Sequence, residues 1–588
     1  MLWARNLLFV ALCLLGVALV GREILRQDRI STPQSFAPSR FQVRSVSSSQ
    51  PTAAAAKPGA DSSADPASAA RSGRFFSSRE PQDWGVVLER FNQEFEEHWK
   101  KQGLQKTPSA DSFTIARRLS LGLTGTIPSL EEVRALEQVD EQQRVEWYVS
   151  RLLEDRRFAD YWAERLARVY VGNDMGPFLV FRRRLFVTWL SEHLAENKPY
   201  DDLVRQLVSD NGLWNGSPAV NFVTATSDPN RDNQPDEIKL AGKTARAFLG
   251  MRIDCLQCHD DKLGTINLGE RHNPHGGAQA NFHELAAFFG EARVGLTGVQ
   301  NDNKLKYEYK YLDAEKEELI PAKVPFAQHL VDGHGTRREQ LARWITHPEN
   351  KAFARATVNR VWALMFGRAL MEPIDDLPLY GKYPPAMELL ADDFIAHGYD
   401  LQRMIRLIAA SEPFQRDSRA DFEITEKHDE QWASFPLSRL RPEQVAGSLV
   451  QSASASTINA DSHVIAQLVK FFQTREFVER YGDMGQDEFT DRGGTITQRL
   501  LMMNGELVKE RTGENIVMNA ATRMAVLGHS DEAAVEAAYL ALFTRYPDGD
   551  ERTHFAAKLQ GKRNQARIAA MEDIYWILVN STEFSWNH

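Results

Sequence analysis

Cysteine is scarce: three residues in a chain of 588. That excludes a disulfide-rich scaffold. A basic excess is also missing. Lysine and arginine number 70 against 80 aspartates and glutamates, a net charge of −10. Bulk electrostatics therefore offer no support for a nucleic-acid partner, and none is expected. Long apolar runs are absent apart from one at the N-terminus, which rules out a polytopic membrane protein. No GxSxG elbow, P-loop, HExxH motif or fixed-period repeat occurs. What remains is 43% apolar and 26% charged, the balance of a soluble globular protein. At roughly 100–200 residues per domain, the length suggests about three or four domain-sized units.

The one apolar run is Leu7–Val20, preceded by Arg5. A short positive region followed by a run of this length reads as a signal peptide or an uncleaved signal anchor, spanning 1–29. No A-x-A cleavage site follows, and Leu12 before Cys13 does not fit a lipoprotein site. Either reading places the rest of the chain outside the cytoplasm, in the periplasm or cell envelope. Residues 30–83 are rich in Ser, Ala and Pro, with too little apolar surface to offset the entropy of ordering. They read as a disordered linker.

Beyond it the spacing is helical. Phe158, Trp162 and Leu166 recur at i, i+4, i+8. Phe282, Leu285, Ala286 and Phe289 make a second apolar stripe, and Leu401, Met404, Ile405 and Ile408 a third. Strand-like alternation is best in Lys304–Leu312, KLKYEYKYL. The expected fold is mainly α: two multi-helix domains, 84–293 and 336–588, joined by a polar, partly β connector at 294–335.

The chemistry lies in Cys255-Leu256-Gln257-Cys258-His259. CxxCH is the attachment pattern of c-type haem. Two thiols three residues apart reach the two vinyl groups on one porphyrin edge, and the adjacent imidazole reaches the iron. Leu240–Leu249 reads as a helix stopped by Gly250, and a second helix starts near Asn281, so the group would lie between two helices. Three other readings stand beside this one. The cysteines could form a disulfide. With His272 and His275 they could bind zinc, as C-x2-C-x13-H-x2-H. They could also be a redox pair, although no thioredoxin-like βαβ pattern surrounds them.

Several segments, in order, resemble the planctomycete cytochrome-c-like family of exported proteins, in which a CxxCH-bearing domain of unknown function precedes a planctomycete-specific domain. They include FTIARRLSLGLTGTIPSLEEV (Phe113–Val133), RFADYWAERLARV (Arg157–Val169), KPYDDLVRQLVSDNG (Lys198–Gly212) and ARAFLGMRIDCLQCHDDKL (Ala245–Leu263). FHELAAFFGEA (Phe282–Ala292) follows, then RREQLARWITHPENKAFARATVNRVWALMFGRALMEPIDD (Arg337–Asp376), GYDLQRMIRLIAASEPFQR (Gly398–Arg416) and WILVNSTEFSW (Trp576–Trp586). The resemblance implies an envelope protein that carries haem c, with Cys255 and Cys258 as thioether positions and His259 as proximal ligand, working with an unidentified redox or envelope partner. The family commonly reads CHDH, whereas Asp261 stands here at the second histidine. His272, His275, His283 and Met251 are candidates for the sixth ligand.

Arg355, Asn359, Arg360, Arg368, Glu372, Asp375 and Asp376 cluster near the start of the second domain. They read as a catalytic or cation-binding group, or as ion pairs pinning a helix–turn–helix. Trp362 and Phe366 read as core. Whether the protein is an enzyme is left open by the sequence. The functional alternatives are an exported c-type haem protein and a non-haem envelope protein that binds or supports a partner.

Overall fold

Caps written into the sequence start the helices that frame the site. The computed structural model describes residues 80–172, 183–227, 232–312, 314–458, 477–478, 480–482, 495–513 and 519–588. The expected signal or anchor segment lies outside them, as does the linker except for residues 80–83, which open helix α1 (Glu80–Gln102). Asp111 accepts from the backbone N–H groups of Phe113 and Thr114 and starts α2 (Ser112–Thr124), which Gly125 stops at a φ of 68°. The helices α3 (Tyr200–Ser209) and α4 (Glu237–Thr244) follow; Asp236 caps the second by accepting from Lys239 N. Next come α5 (Gln279–Ala286), α6 (Arg337–Ile345) and α7 (Lys351–Phe366). Thr336 and Glu339 make a capping box on α6.

The structure is mainly helical, with short antiparallel ladders. Between α4 and α6 the chain makes three hairpins: β1 (Asn267–Glu270) with β2 (Asn273–Gly276), β3 (Ala292–Gly295) with β4 (Gly298–Asn301), and β5 (Glu308–Tyr309) with β6 (Glu318–Leu319). The strand expected in Lys304–Leu312 is thus present as two ladder residues. A fourth ladder joins β7 (Ser438–Arg439) to β8 (Trp586–Asn587). Among the described residues no helix is long and apolar enough to cross a membrane.

The described residues form one compact unit with two apolar cores. The first draws on residues from Phe91 to Phe435, including Val324 and Phe326 of the connector. The second takes Leu121 and Ile127 of the N-terminal half together with residues from Leu440 to Phe584. Helix α7 is the axis of the first core; every residue in it except Lys351 and Arg355 is buried. Trp362 stacks on Phe366 with ring centroids 4.3 Å apart and stands edge-on to Trp432 at 5.1 Å. Helix α2 crosses α7 closely because Gly122 has no side chain; a Cβ there would lie 3.3 Å from the Met365 Cα.

Arg117 and Arg118 of α2 are fully buried and staple the two cores. Arg117 donates to the carbonyls of Leu542 and Phe584 in the second core. Arg118 donates to those of Phe414, Arg416 and His588 and lies 3.7 Å over the Phe435 ring. Burial pushes the Arg118 guanidinium down to about 9.

Candidate functional site

Helix α4 runs into a π-helical turn over Ala245–Leu249, and Gly250 ends it at a φ of 62°. The stop expected at Gly250 is therefore present. The chain then makes a single 3-10 turn, Asp254–Gln257, closed by Cys258 N donating to the Cys255 carbonyl at 3.3 Å. Leu256 is fully buried and anchors this turn, while Cys255, Cys258 and His259 are exposed. Both thiols are free. Partial burial and the nearby carboxylates of Asp261 and Asp254 push the Cys255 thiol up. An activated thiol–disulfide nucleophile needs the opposite shift.

The Gln257 carbonyl fixes the turn from beneath. It accepts from His283 Nε2 at 3.1 Å, Gln279 Nε2 at 2.9 Å and the Tyr309 hydroxyl at 3.4 Å. His283 is fully buried. Its ring stacks on Tyr309 at 3.5 Å, and its Nδ1 accepts from the Tyr307 hydroxyl at 2.8 Å. Burial pulls its pKa below the usual histidine value; the Gln257 carbonyl can only accept, so the ring proton lies on Nε2. Both ring nitrogens are engaged, and His283 acts as a positioning residue for the cysteine turn.

The other histidines differ. The carbonyl of Asp260 can only accept, so His259 donates to it through Nδ1 at 2.8 Å, leaving the lone pair on Nε2. His275 makes the equivalent bond from Nδ1 to the Gly276 carbonyl at 2.9 Å. His272 sits in the turn between β1 and β2, and both are exposed. Met251 is buried in the first core. Among the described residues no three His, Cys, Asp or Glu side chains gather as a metal site, so the four zinc candidates are not assembled together.

Asp261 has its own task. Its carboxylate accepts from the backbone N–H groups of Leu263, Gly264 and Ile266 at 3.0, 3.1 and 2.6 Å. These bonds hold its pKa below the usual carboxylate range and shape the loop after the cysteines. Asp260 accepts from Gln279 N at the start of α5.

Beside the turn lies a cleft of about 210 Å³. Helix α4 and its π turn supply Lys239, Lys243, Arg246 and Ala247; the cysteine turn supplies Asp254 and Gln257. Gly242 lets the two elements approach, since a Cβ there would stand 2.6 Å from Asp254 Oδ1. Opposite are Arg360 of α7 and Ile374 and Asp375 of the turn after it.

Residues 91–293 match the model of PSCyt2, a protein of unknown function (DUF1549). Residues 337–481 match that of PSD1, likewise a protein of unknown function (DUF1553). The chain carries the planctomycete PSCyt–PSD domain pairing. No match was found among curated proteins or among solved structures.

The cleft lies between the PSCyt2 and PSD1 regions. Asp375 of PSD1 is buried between two PSCyt2 arginines. Arg246 donates to its Oδ2 through Nε and Nη2 at 2.9 and 2.7 Å, and Arg252 Nε donates to Oδ1 at 2.9 Å. Other members of the cluster make ion pairs or hydrogen bonds. Arg368 pairs with Glu372 at 3.0 Å, and Arg355 pairs with Glu388 at 2.7 Å. The Asn359 side chain donates to the Met371 and Ile374 carbonyls and accepts from Met371 N. These contacts pin the helix–turn expected from the sequence, except that Asp375 pairs across the two regions. Lys239, Lys243 and Arg246 were not singled out in the sequence. Their i, i+4, i+7 spacing was the available signal of a basic face.

Proposed function

We propose that Cys255, Cys258 and His259 attach a c-type haem, and that the protein is an exported envelope protein used for electron transfer or redox chemistry with a partner. The observation that carries this reading is the division of labour in the turn. Leu256 and the Gln257 carbonyl are held from below, while both thiols and the imidazole Nε2 stay accessible on one short segment. The donor set fits the group. Cys255 and Cys258 would hold the porphyrin edge as thioethers, each formed by adding S–H across a vinyl double bond, which needs no oxidant. His259 donates its Nδ1 proton to a carbonyl, the arrangement that orients a metal-binding histidine and strengthens its Nε2 as a donor. When bound, the haem supplies one-electron chemistry.

The remaining candidates follow from their surroundings. His283 and Met251 are buried and serve the turn and the core. His272 and His275 are exposed on the neighbouring hairpin, and they are the sixth-ligand candidates we retain.

A haem stain of denatured protein, matured in a host with haem-attachment machinery, tests the reading. A stained band and a Soret absorbance are expected. Cys255→Ser with Cys258→Ser should abolish both, and His259→Ala should shift the spectrum while leaving the stain. Wild-type protein with no stain overturns the haem reading.

A further inference from the structure

The cleft beside the cysteine turn holds a buried cation without a carboxylate. Arg360 is only 7% exposed. Among the described residues its one hydrogen bond is a long one, from Nη2 to the Arg246 carbonyl at 3.5 Å. No described carboxylate lies within ion-pair distance of it. Arg246, across the cleft, differs: Asp375 already neutralises it through two short bonds. A guanidinium taken out of water without a counter-charge is expensive unless something else supplies that charge. The surroundings suggest what does. Phe282, Ile238, Val169 and Ile374 give the cleft apolar walls, and Lys239 and Lys243 add further cations to its lining, Lys239 at an exposed position beside Asp236.

We infer that this cleft binds a small carboxylate ligand with an apolar body, its carboxylate on the Arg360 guanidinium. The planar fork of arginine matches a carboxylate in two parallel bonds. A dianion such as phosphate is a poorer match, because Asp254 and Asp375 also line the cleft. The volume, about 210 Å³, is below the roughly 300–1,000 Å³ of sites for drug-sized ligands. It suits a small acid, or the acidic edge of something larger. Asp254 and Gln257 belong to both the cleft and the cysteine turn. The carboxylate therefore has two possible sources: a free acid, or the propionate side chains of a haem attached next door. The inference stands without the haem reading, since Arg360 and the apolar walls do not depend on it.

Calorimetric titration with 3-phenylpropionate tests the site, with the uncharged 3-phenylpropanamide as control. The full chain is used in its haem-loaded form and as the Cys255→Ser, Cys258→Ser variant. The acid should bind at one site, and the amide about tenfold or more weakly. Arg360→Gln should weaken the acid by about tenfold or more, the scale of a lost charge-assisted pair. Lys239→Gln, at an exposed position where only a surface pair with Asp236 at 3.4 Å is lost, should weaken it about two- to fivefold. Binding to the cysteine-free form alone assigns the natural carboxylate to the haem; binding to both forms assigns it to a free acid. Should Arg360→Gln fail to fold, the acid–amide difference and Lys239→Gln still decide. Equal binding of acid and amide, no binding to either form, or full affinity in a folded Arg360→Gln protein would overturn the inference. Absence of haem from the wild type would reject the haem reading alone.

Discussion

Asp375 and His283 show how single side chains set this site. Desolvation raises the Asp375 pKa, but hydrogen bonds from Arg246 and Arg252 outweigh it, and the carboxyl sits below its usual value. A carboxylate depressed in the folded state adds stability above its unfolded pKa, about 3.9, and loses it as pH falls through the lower folded value. Thermal unfolding between about pH 5 and 2 should therefore show wild type losing more stability than Asp375→Asn. At neutral pH that substitution should cost about 1–3 kcal/mol, because Arg246 loses a charge-assisted pair and Arg252 one of its bonds. His283→Ala should cost about 1–3 kcal/mol through lost hydrogen bonds to Gln257 and Tyr307. Amide exchange should then quicken at Gln257–His259 while the second core stays protected. Uniform quickening throughout would show that His283 supports the whole fold and not the turn. At this scale the sequence displayed the cysteines and His259 plainly, because their spacing is local. It hid the task of His283, which depends on tyrosines 24 and 26 residues away in the chain, and the pairing of Asp375 with arginines more than a hundred residues upstream.

Buried arginines join elements alongside the apolar contacts. Arg338, in the first turn of α6, donates to Asn301 Oδ1 in β4, to the Val208 carbonyl in α3, and to the Asp210 carbonyl and Asn211 Oδ1 just beyond it. It is fully buried, and burial pushes it down to about 10. One side chain thus ties the connector, α3 and α6 together. Arg338→Met should cost roughly 3–5 kcal/mol in urea denaturation, since those oxygens lose a buried cationic donor. Arg338→Lys should recover only part of the loss, because an ammonium lacks the fork. The helices themselves were legible. Apolar periodicity placed those carrying Phe158, Phe282 and Leu401, and Gly250 marked the stop before the cysteines. The β1–β2 and β3–β4 hairpins were not: NLGE and NPHG carry no apolar alternation, and backbone pairing with tertiary neighbours holds them. The π turn over Ala245–Leu249 has no periodic signature either.

Across the whole molecule, the match to PSCyt2 ends at residue 293 and the match to PSD1 begins at residue 337. The packing follows another division. Helix α7 of PSD1 packs on one side against PSCyt2 residues: Phe91 and Phe95 approach Trp362 at 6.3 and 6.2 Å, and Gly122 meets Met365. Its partner α2 in turn sends Leu121 into the second core and Arg117 to the Leu542 carbonyl. No sequence pattern shows such cross-packing, because periodicity reveals that a face is buried and not what buries it. Neither half should therefore fold alone. A fragment of residues 80–335 lacks Trp344, Trp362 and Phe366, leaving the apolar side of α2 open to water. It should bind a hydrophobic dye, lose its near-UV circular dichroism and melt without a cooperative transition. Residues 80–588 should show one cooperative transition, and coexpressed halves should co-purify as a complex. A fragment 80–335 that is soluble, monomeric and cooperatively melting would show that the PSCyt2 region carries its own sufficient core and that the shared one is dispensable.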